Sequence, residues 1–157
     1  MIHYRNEVAR SGVDGRALVS AARRLLESLG ETGSTLSLRL VGDRKIRSIN
    51  RAHRGMDAAT DVLSFPLVEG PASNRKRSAP ERLLGDVVIS VDTAARQALD
   101  YDAPLQDELY RLLIHGVLHV LGHDHEEPDE RTRMEAEERR LAAAIGMPWP
   151  YDDHASA

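Results

Sequence analysis

Three histidines stand close together in HGVLHVLGHDH, residues 115–125. His115 and His119 are four residues apart. On a helix that spacing puts both side chains on one face, about 6 Å apart along the axis. Two imidazoles so placed can grip one metal ion. Gly122 admits a chain reversal that other residues resist, and the turn can bring His125 back to the same point. Three neutral imidazoles with a water in the fourth position make an open zinc site. Water in such a site is acidified toward neutrality and becomes a hydroxide nucleophile. The expectation is one Zn2+ per chain, held by His115, His119 and His125. Imidazole suits nickel and iron as well.

The chain has no cysteine, so thiolate metal sites and disulfides are excluded and any metal must rest on His, Asp or Glu. The spacing His-x-x-x-His-x-x-Gly-x-x-His resembles the metzincin protease pattern. Gly116, however, stands where that pattern requires a glutamate, so peptide hydrolysis has no evident general base. A zinc protease-like or other metal-dependent hydrolase therefore ranks second. Of the remaining histidines, His123 lies inside the segment as a substrate-side or supporting residue, and His3 and His154 lie near the ends. His53 has two open readings, structural and functional.

The elements that must position these residues follow from periodicity. Leu18, Ala21, Ala22, Leu25, Leu26 and Leu29 make one apolar face of a helix over 16–29, stopped by Gly30. Leu36, Leu38 and Leu40 alternate with polar residues, as a half-buried strand does. Asp43 can cap a short helix carrying Ile46 and Ile49. Residues 62–67 read as a strand that Pro66 places at an edge or near its end. Residues 83–91, LLGDVVISV, read as the most buried strand. Asp92 and Thr93 can start a short helix. A central helix over 104–121 begins near Pro104, ends at Gly122, and carries the first two histidines. A last helix covers about 128–145, with Met134, Leu141 and Ile145 facing inward. The polar, Pro/Gly/Ser-rich stretch 69–82 predicts an exposed loop with Arg75, Lys76 and Arg77 at its tip, and 147–157 a loose tail. The expected fold class is α/β (α+β-like), with one small mixed sheet of about four strands packed by about five helices.

Composition sets outer limits. At 157 residues, one domain over 1–157 is expected. No apolar run reaches membrane-span length, and the first residues lack the apolar stretch of a signal peptide. A cytoplasmic protein is the expectation. The formal charge of −4 does not by itself suggest a nucleic-acid binder. It is unevenly spread, however: residues 1–60 carry 11 basic against 6 acidic side chains, and residues 61–157 carry 10 against 19. A basic half could face a polyanion while the acidic half lies elsewhere.

HGVLHVLGHDH resembles the signature of the YbeY family of ribosomal-RNA maturation endoribonucleases. A second block, with Asn50, Arg54 and Asp57 followed by Thr60, Asp61 and VLSFP ending at Pro66, is similar to that family's N-x-x-Y-R-x-x-D-x-P-T-[DN]-V-L-S-F-P segment. A third, Leu84, Gly85, Asp86 and the strand to Ile89, is similar to its L-G-D-[IV]-[VL]-I strand. Together the blocks cover roughly residues 35–145 in family order. The resemblance implies a metal-dependent endoribonuclease specific for single-stranded RNA. It would act in maturation of the 3′ end of small-subunit (16S) rRNA and in ribosome quality control, with precursor rRNA and the ribosome or small subunit as partners.

The resemblance also implies residue roles. His115, His119 and His125 match the zinc ligands, and Arg54 matches the functionally important arginine. Asp86 matches the Asp of the G-D strand without an assigned role. His53, Ala59 and His123 depart from the family's usual Tyr, Pro and Tyr, and none is a ligand. Phosphodiester cleavage builds negative charge on phosphate oxygens, which a metal and a guanidinium can both stabilise. Arg54 cannot be the base, because arginine does not deprotonate in proteins. A third alternative is a ribosome-associated factor with a structural zinc. The all-histidine set speaks against it, since structural zinc usually has four protein ligands, often cysteines. With one Phe, one Trp and four Tyr in the chain, extensive base stacking is not expected.

Overall fold

Alternation and helical periodicity settle which faces meet in the computed structural model, which describes residues 1–67, 82–123 and 126–149. The element order is β1 (Ile2–Asn6), α1 (Gly15–Ser28), β2 (Ser34–Val41), α2 (Asp43–Arg54), β3 (Val62–Pro66), β4 (Arg82–Ser90), α3 (Val91–Asp100), α4 (Leu105–Val120) and α5 (Pro128–Ala144). The four strands form one mixed sheet in the order β1-β2-β4-β3. β2 runs parallel to both β1 and β4, and β3 lies antiparallel to β4 at the edge. This is the expected α/β architecture, with four strands and five helices among the described residues. No described helix is long and apolar enough to cross a membrane.

One face of the sheet carries the main core. Leu36, Leu38 and Leu40 of β2, with Leu84, Val87 and Ile89 of β4, pack against Leu18 and Leu25 of α1 and Leu109, Leu113 and Val117 of α4. Each fully buried leucine contributes about 1.5–3 kcal/mol relative to an exposed one. On the opposite face, Val41, Leu63 and Val88 enclose Ile46 of α2 in a second, smaller cluster. A register shift between Thr35 and Leu36 pairs them with Leu83 and Gly85, leaving Leu84 as the extra residue of a bulge. Gly85 is required there: a Cβ would lie 2.4 Å from the carbonyl oxygen of Phe65 on β3.

The clearest departures from expectation are at termini and caps. β1 was not among the segments that alternation picks out, because its sequence IHYRN offers only Ile2 and Tyr4 to the core. Its pairing with β2 makes it a strand. Asp43 is the first residue of α2, not its cap; Gly42 takes that position with no side-chain cap. Asp92 caps instead from outside, its Oδ2 accepting the Asp43 N–H at 2.9 Å. The Asp43 carboxylate in turn accepts from Ser90 Oγ and Thr93 Oγ1, each at 2.7 Å, and from Arg96 at 2.7 Å. Ser90, not Asp92, caps α3. Met147, expected to begin a loose tail, is buried, and its N–H bonds to Ala142 O at 2.9 Å. The 69–82 loop lies outside the described residues except Arg82, which belongs to β4.

Candidate metal centre and adjoining cleft

α4 is wrapped in apolar contacts along most of its length, so its two half-buried histidines stand out on its one open flank. His115 and His119 bring their Nε2 atoms to 3.0 Å from each other, with rings 4.5 Å apart and nearly perpendicular. The spacing argument therefore holds for this pair. On the far side of His115, Nδ1 lies 3.5 Å from Glu138 Oε2 of α5. A carboxylate there favours the tautomer with its proton on Nδ1, which leaves the Nε2 lone pair facing His119. Two facing Nε2 atoms on rings one turn apart can both turn lone pairs to a shared divalent cation, so this donor pair fits zinc.

α4 ends in a Schellman turn: Gly122 N–H bonds to His119 O at 3.0 Å and His123 N–H to Leu118 O at 2.9 Å. Gly122 has φ of 97°, a region glycine tolerates and side chains resist. The turn closes at His123, two residues before His125. His125 itself lies outside the described residues. Among the described residues, no group of three or more His, Cys, Asp or Glu converges as a metal cage.

The histidine pair opens into a cleft of about 580 Å³ whose walls include Arg54 of α2, Asp61, and Ser64 and Phe65 of β3. Arg54 is the last residue of α2, where Gly55 at φ of 70° ends the helix. Buried Asn50, one turn earlier, donates to Ala58 O at 2.9 Å and ties that end of the helix to the following loop. Arg54 is exposed and forms no ion pair among the described residues, which leaves a cation at the cleft mouth. Asp61 is held in place by Val62 N–H at 2.8 Å and Gln97 Nε2 at 3.3 Å. Gln97 is held in turn by Arg111, which pairs with fully buried Glu108 at 2.7 Å.

Two further observations bear on the site. Ser64 Oγ donates to Gly116 O at 3.1 Å, stapling β3 to α4 between the two histidines. A Cβ on Gly116 would lie 2.7 Å from Val87 Cγ1 and 3.3 Å from Ser64 Oγ. The position that carries glutamate in the protease pattern thus faces the sheet at contact distance and has no room for one.

Sequence reasoning, through spacing for His115 and His119 and through the family resemblance for Arg54, singled out three residues that the structure brings to one cleft. It passed over Glu138, although a signal was present: Glu138 shares the inward face of α5 with Met134 and Leu141, where an acidic residue needs a partner. Asp61 and Ser64 entered only as members of a sequence block.

Comparison with known proteins gives one answer. The family profile described as Endoribonuclease YbeY matches residues 3–146. A protein named Endoribonuclease YbeY from an Anaeromyxobacter species is 52% identical over 82% of this chain and 67% of its own length. The one from Myxococcus xanthus is 51% identical over 84% of this chain, which spans only 44% of that longer protein. The one from Syntrophotalea carbinolica is 44% identical over 92% of this chain and 95% of its own. The fold also matches the solution structure of a Thermotoga maritima protein, with a TM-score of 0.63 at 24% identity over 99% of this chain and 93% of that one.

Proposed function

Because the chain belongs to the YbeY family of endoribonucleases, we propose that it is a zinc-dependent hydrolase that cuts single-stranded RNA. Its substrate on this reading is the 3′ end of precursor 16S rRNA, handled in the cytoplasm with the ribosome or small subunit, in maturation and quality control. The observation that carries the proposal is the shared cleft: Arg54, a guanidinium with no ion pair among the described residues, lines it together with the facing imidazoles of His115 and His119.

His115 and His119 would hold the metal, with His125 as the third ligand. Zinc bound there supplies Lewis acidity and an acidified water. The rest is the work of the chain's own groups. Arg54 offers two parallel N–H donors to a phosphate and offsets the charge that builds on its oxygens as the bond breaks. Glu138 fixes the ring orientation and tautomer of His115. Ser64 keeps β3 and α4 in register so that the two walls of the cleft stay together. A proteolytic reading has no support in the cleft, because Gly116 leaves no space for the carboxylate such chemistry uses.

The test combines metal analysis with cleavage of a precursor rRNA, with and without chelator. Wild-type protein should carry about one zinc per chain. His119→Ala should lose metal and cleavage together. Arg54→Glu, at an exposed position, should keep metal and fold but lose cleavage. Cleavage by Arg54→Glu at the wild-type rate would refute the role given to Arg54, and full activity in chelator would refute the metal.

A further inference from the structure

A second recess, of about 440 Å³, opens on the sheet face that α4 does not cover. Its walls include Ser37 and Arg39 of β2, Ile49 of α2, Phe65 of β3, and Asp86 and Val88 of β4. It shares His53 and Phe65 with the histidine-arginine cleft, and these two rings lie 5.1 Å apart. The two cavities therefore adjoin at the ring pair.

The lining is that of a site for a flat, polar-edged ring. Ile49, Phe65 and Val88 supply apolar walls. Asp86 is half-buried and accepts no hydrogen bond from any described residue. The nearby cation makes no hydrogen bond to it: the Arg39 guanidinium is bonded through Nε and Nη2 to Glu7, whose carboxyl that bond holds below the usual carboxylate range, and it meets Asp86 through charge alone. Both carboxylate oxygens of Asp86 are thus without a hydrogen-bond donor among the described residues, in the lining of the recess.

We propose that this recess is a nucleobase subsite, one nucleotide along from the phosphate in the cleft, and that Asp86 reads the Watson–Crick edge of the base. The inference rests on the ribonuclease reading above. An ionised carboxylate only accepts hydrogen bonds. Guanine answers it best, because N1–H and the N2 amino group lie side by side and make two parallel bonds. Uracil presents a single N–H between two carbonyl oxygens, which a carboxylate repels. Phe65 is placed to take the face of the base, a contact that tolerates any base and leaves discrimination to Asp86.

The experiment is cleavage of a single-stranded RNA with randomised positions around the cut, the products read by sequencing. Wild-type protein should cut about tenfold faster next to guanine than next to uracil at one flanking position. Asp86→Asn replaces one acceptor with a donor and should bring that ratio close to one. An unchanged guanine preference in Asp86→Asn, or none in the wild type, would overturn the subsite. If Asp86→Asn cuts too slowly to score, binding of guanosine 5′-monophosphate against uridine 5′-monophosphate decides instead. The wild type should favour the guanine nucleotide and the variant should not, and equal binding by the wild type overturns the proposal. Failure of the wild type to cut any RNA sinks the ribonuclease reading, and the nucleotide binding still judges the recess.

Discussion

Gly116→Ala tests how tightly the histidine helix is seated. In an open helix this exchange stabilises by about 1 kcal/mol, because glycine has more backbone freedom to lose. Here the new methyl would lie 2.7 Å from Val87 Cγ1 and 3.2 Å from Cγ2, well inside the 3.5–4.0 Å of a relaxed carbon contact. Val87 is fully buried in the central strand and has little room to give. Overpacking of this kind costs about 1–3 kcal/mol. The outward shift of α4 also loosens the Ser64–Gly116 hydrogen bond, for about another 0.5–1.5 kcal/mol. The net expectation is destabilisation by roughly 1–3 kcal/mol, or a Tm lower by about 3–10 °C in a domain of this size. Urea unfolding followed by circular dichroism measures it. Val87→Ala should cost less in the Gly116→Ala background than in the wild type, giving a cycle with favourable coupling of about 1 kcal/mol. A Gly116→Ala protein as stable as the wild type, or more so, would show that α4 does not press on the sheet there. The steric argument against a glutamate would fall with it.

Glu138→Gln should weaken zinc binding about 10- to 100-fold by calorimetry without unfolding α5; unchanged affinity would remove Glu138 from the site. Gly122→Ala, at a backbone angle of 97° with nothing within 4 Å to clash, should cost about 1–2 kcal/mol through backbone strain alone. A Tm no lower than the wild type's would contradict the Schellman turn. Burial raises the Asp43 carboxyl pKa, but hydrogen bonds from Thr93, Ser90 and Arg96 outweigh it and hold the group below the usual carboxylate range. Its contribution is therefore complete above the ordinary carboxylate pKa and fades as pH falls through the lowered value. Asp43→Ala should destabilise at neutral pH by about 1–3 kcal/mol and flatten the acid limb of a Tm-against-pH curve; two parallel curves would exclude the clasp as its source.

Much of this was legible in the chain, for identifiable reasons. Leu36, Leu38 and Leu40 alternate because one face of β2 is buried, and the helical spacing of α1 and α4 follows from their packing on that face. His115 and His119 could be paired from spacing alone, since helix geometry is local. Arg54 could not: its proximity to them depends on how β3 carries α2 toward α4 across some sixty residues, and only a resemblance pointed to it. β1 escaped because its strand character comes from β2. The clasp between Asp43 and Asp92 escaped because Asp92 serves a backbone N–H of α2 and Asp43 serves side chains at the start of α3, whereas cap rules assume a residue serves its own helix. Glu138 carried a local signal, a carboxylate on an inward face, that periodicity alone reads as a solvated residue.

That clasp turns α2 into a lever. Its first residue is pinned to the start of α3 by Asp92, and its last residue, Arg54, lies about 16 Å away along eleven rises of 1.5 Å. A tilt of only about 5° at the pinned end swings the guanidinium by about 1.4 Å, and misplacement on the order of 1 Å can cost a hundredfold in rate. Residues that touch neither the cleft nor its contents, Ser90, Thr93 and Arg96 among them, thereby set its aim, and substitutions there should read out as lost turnover before they read out as lost fold.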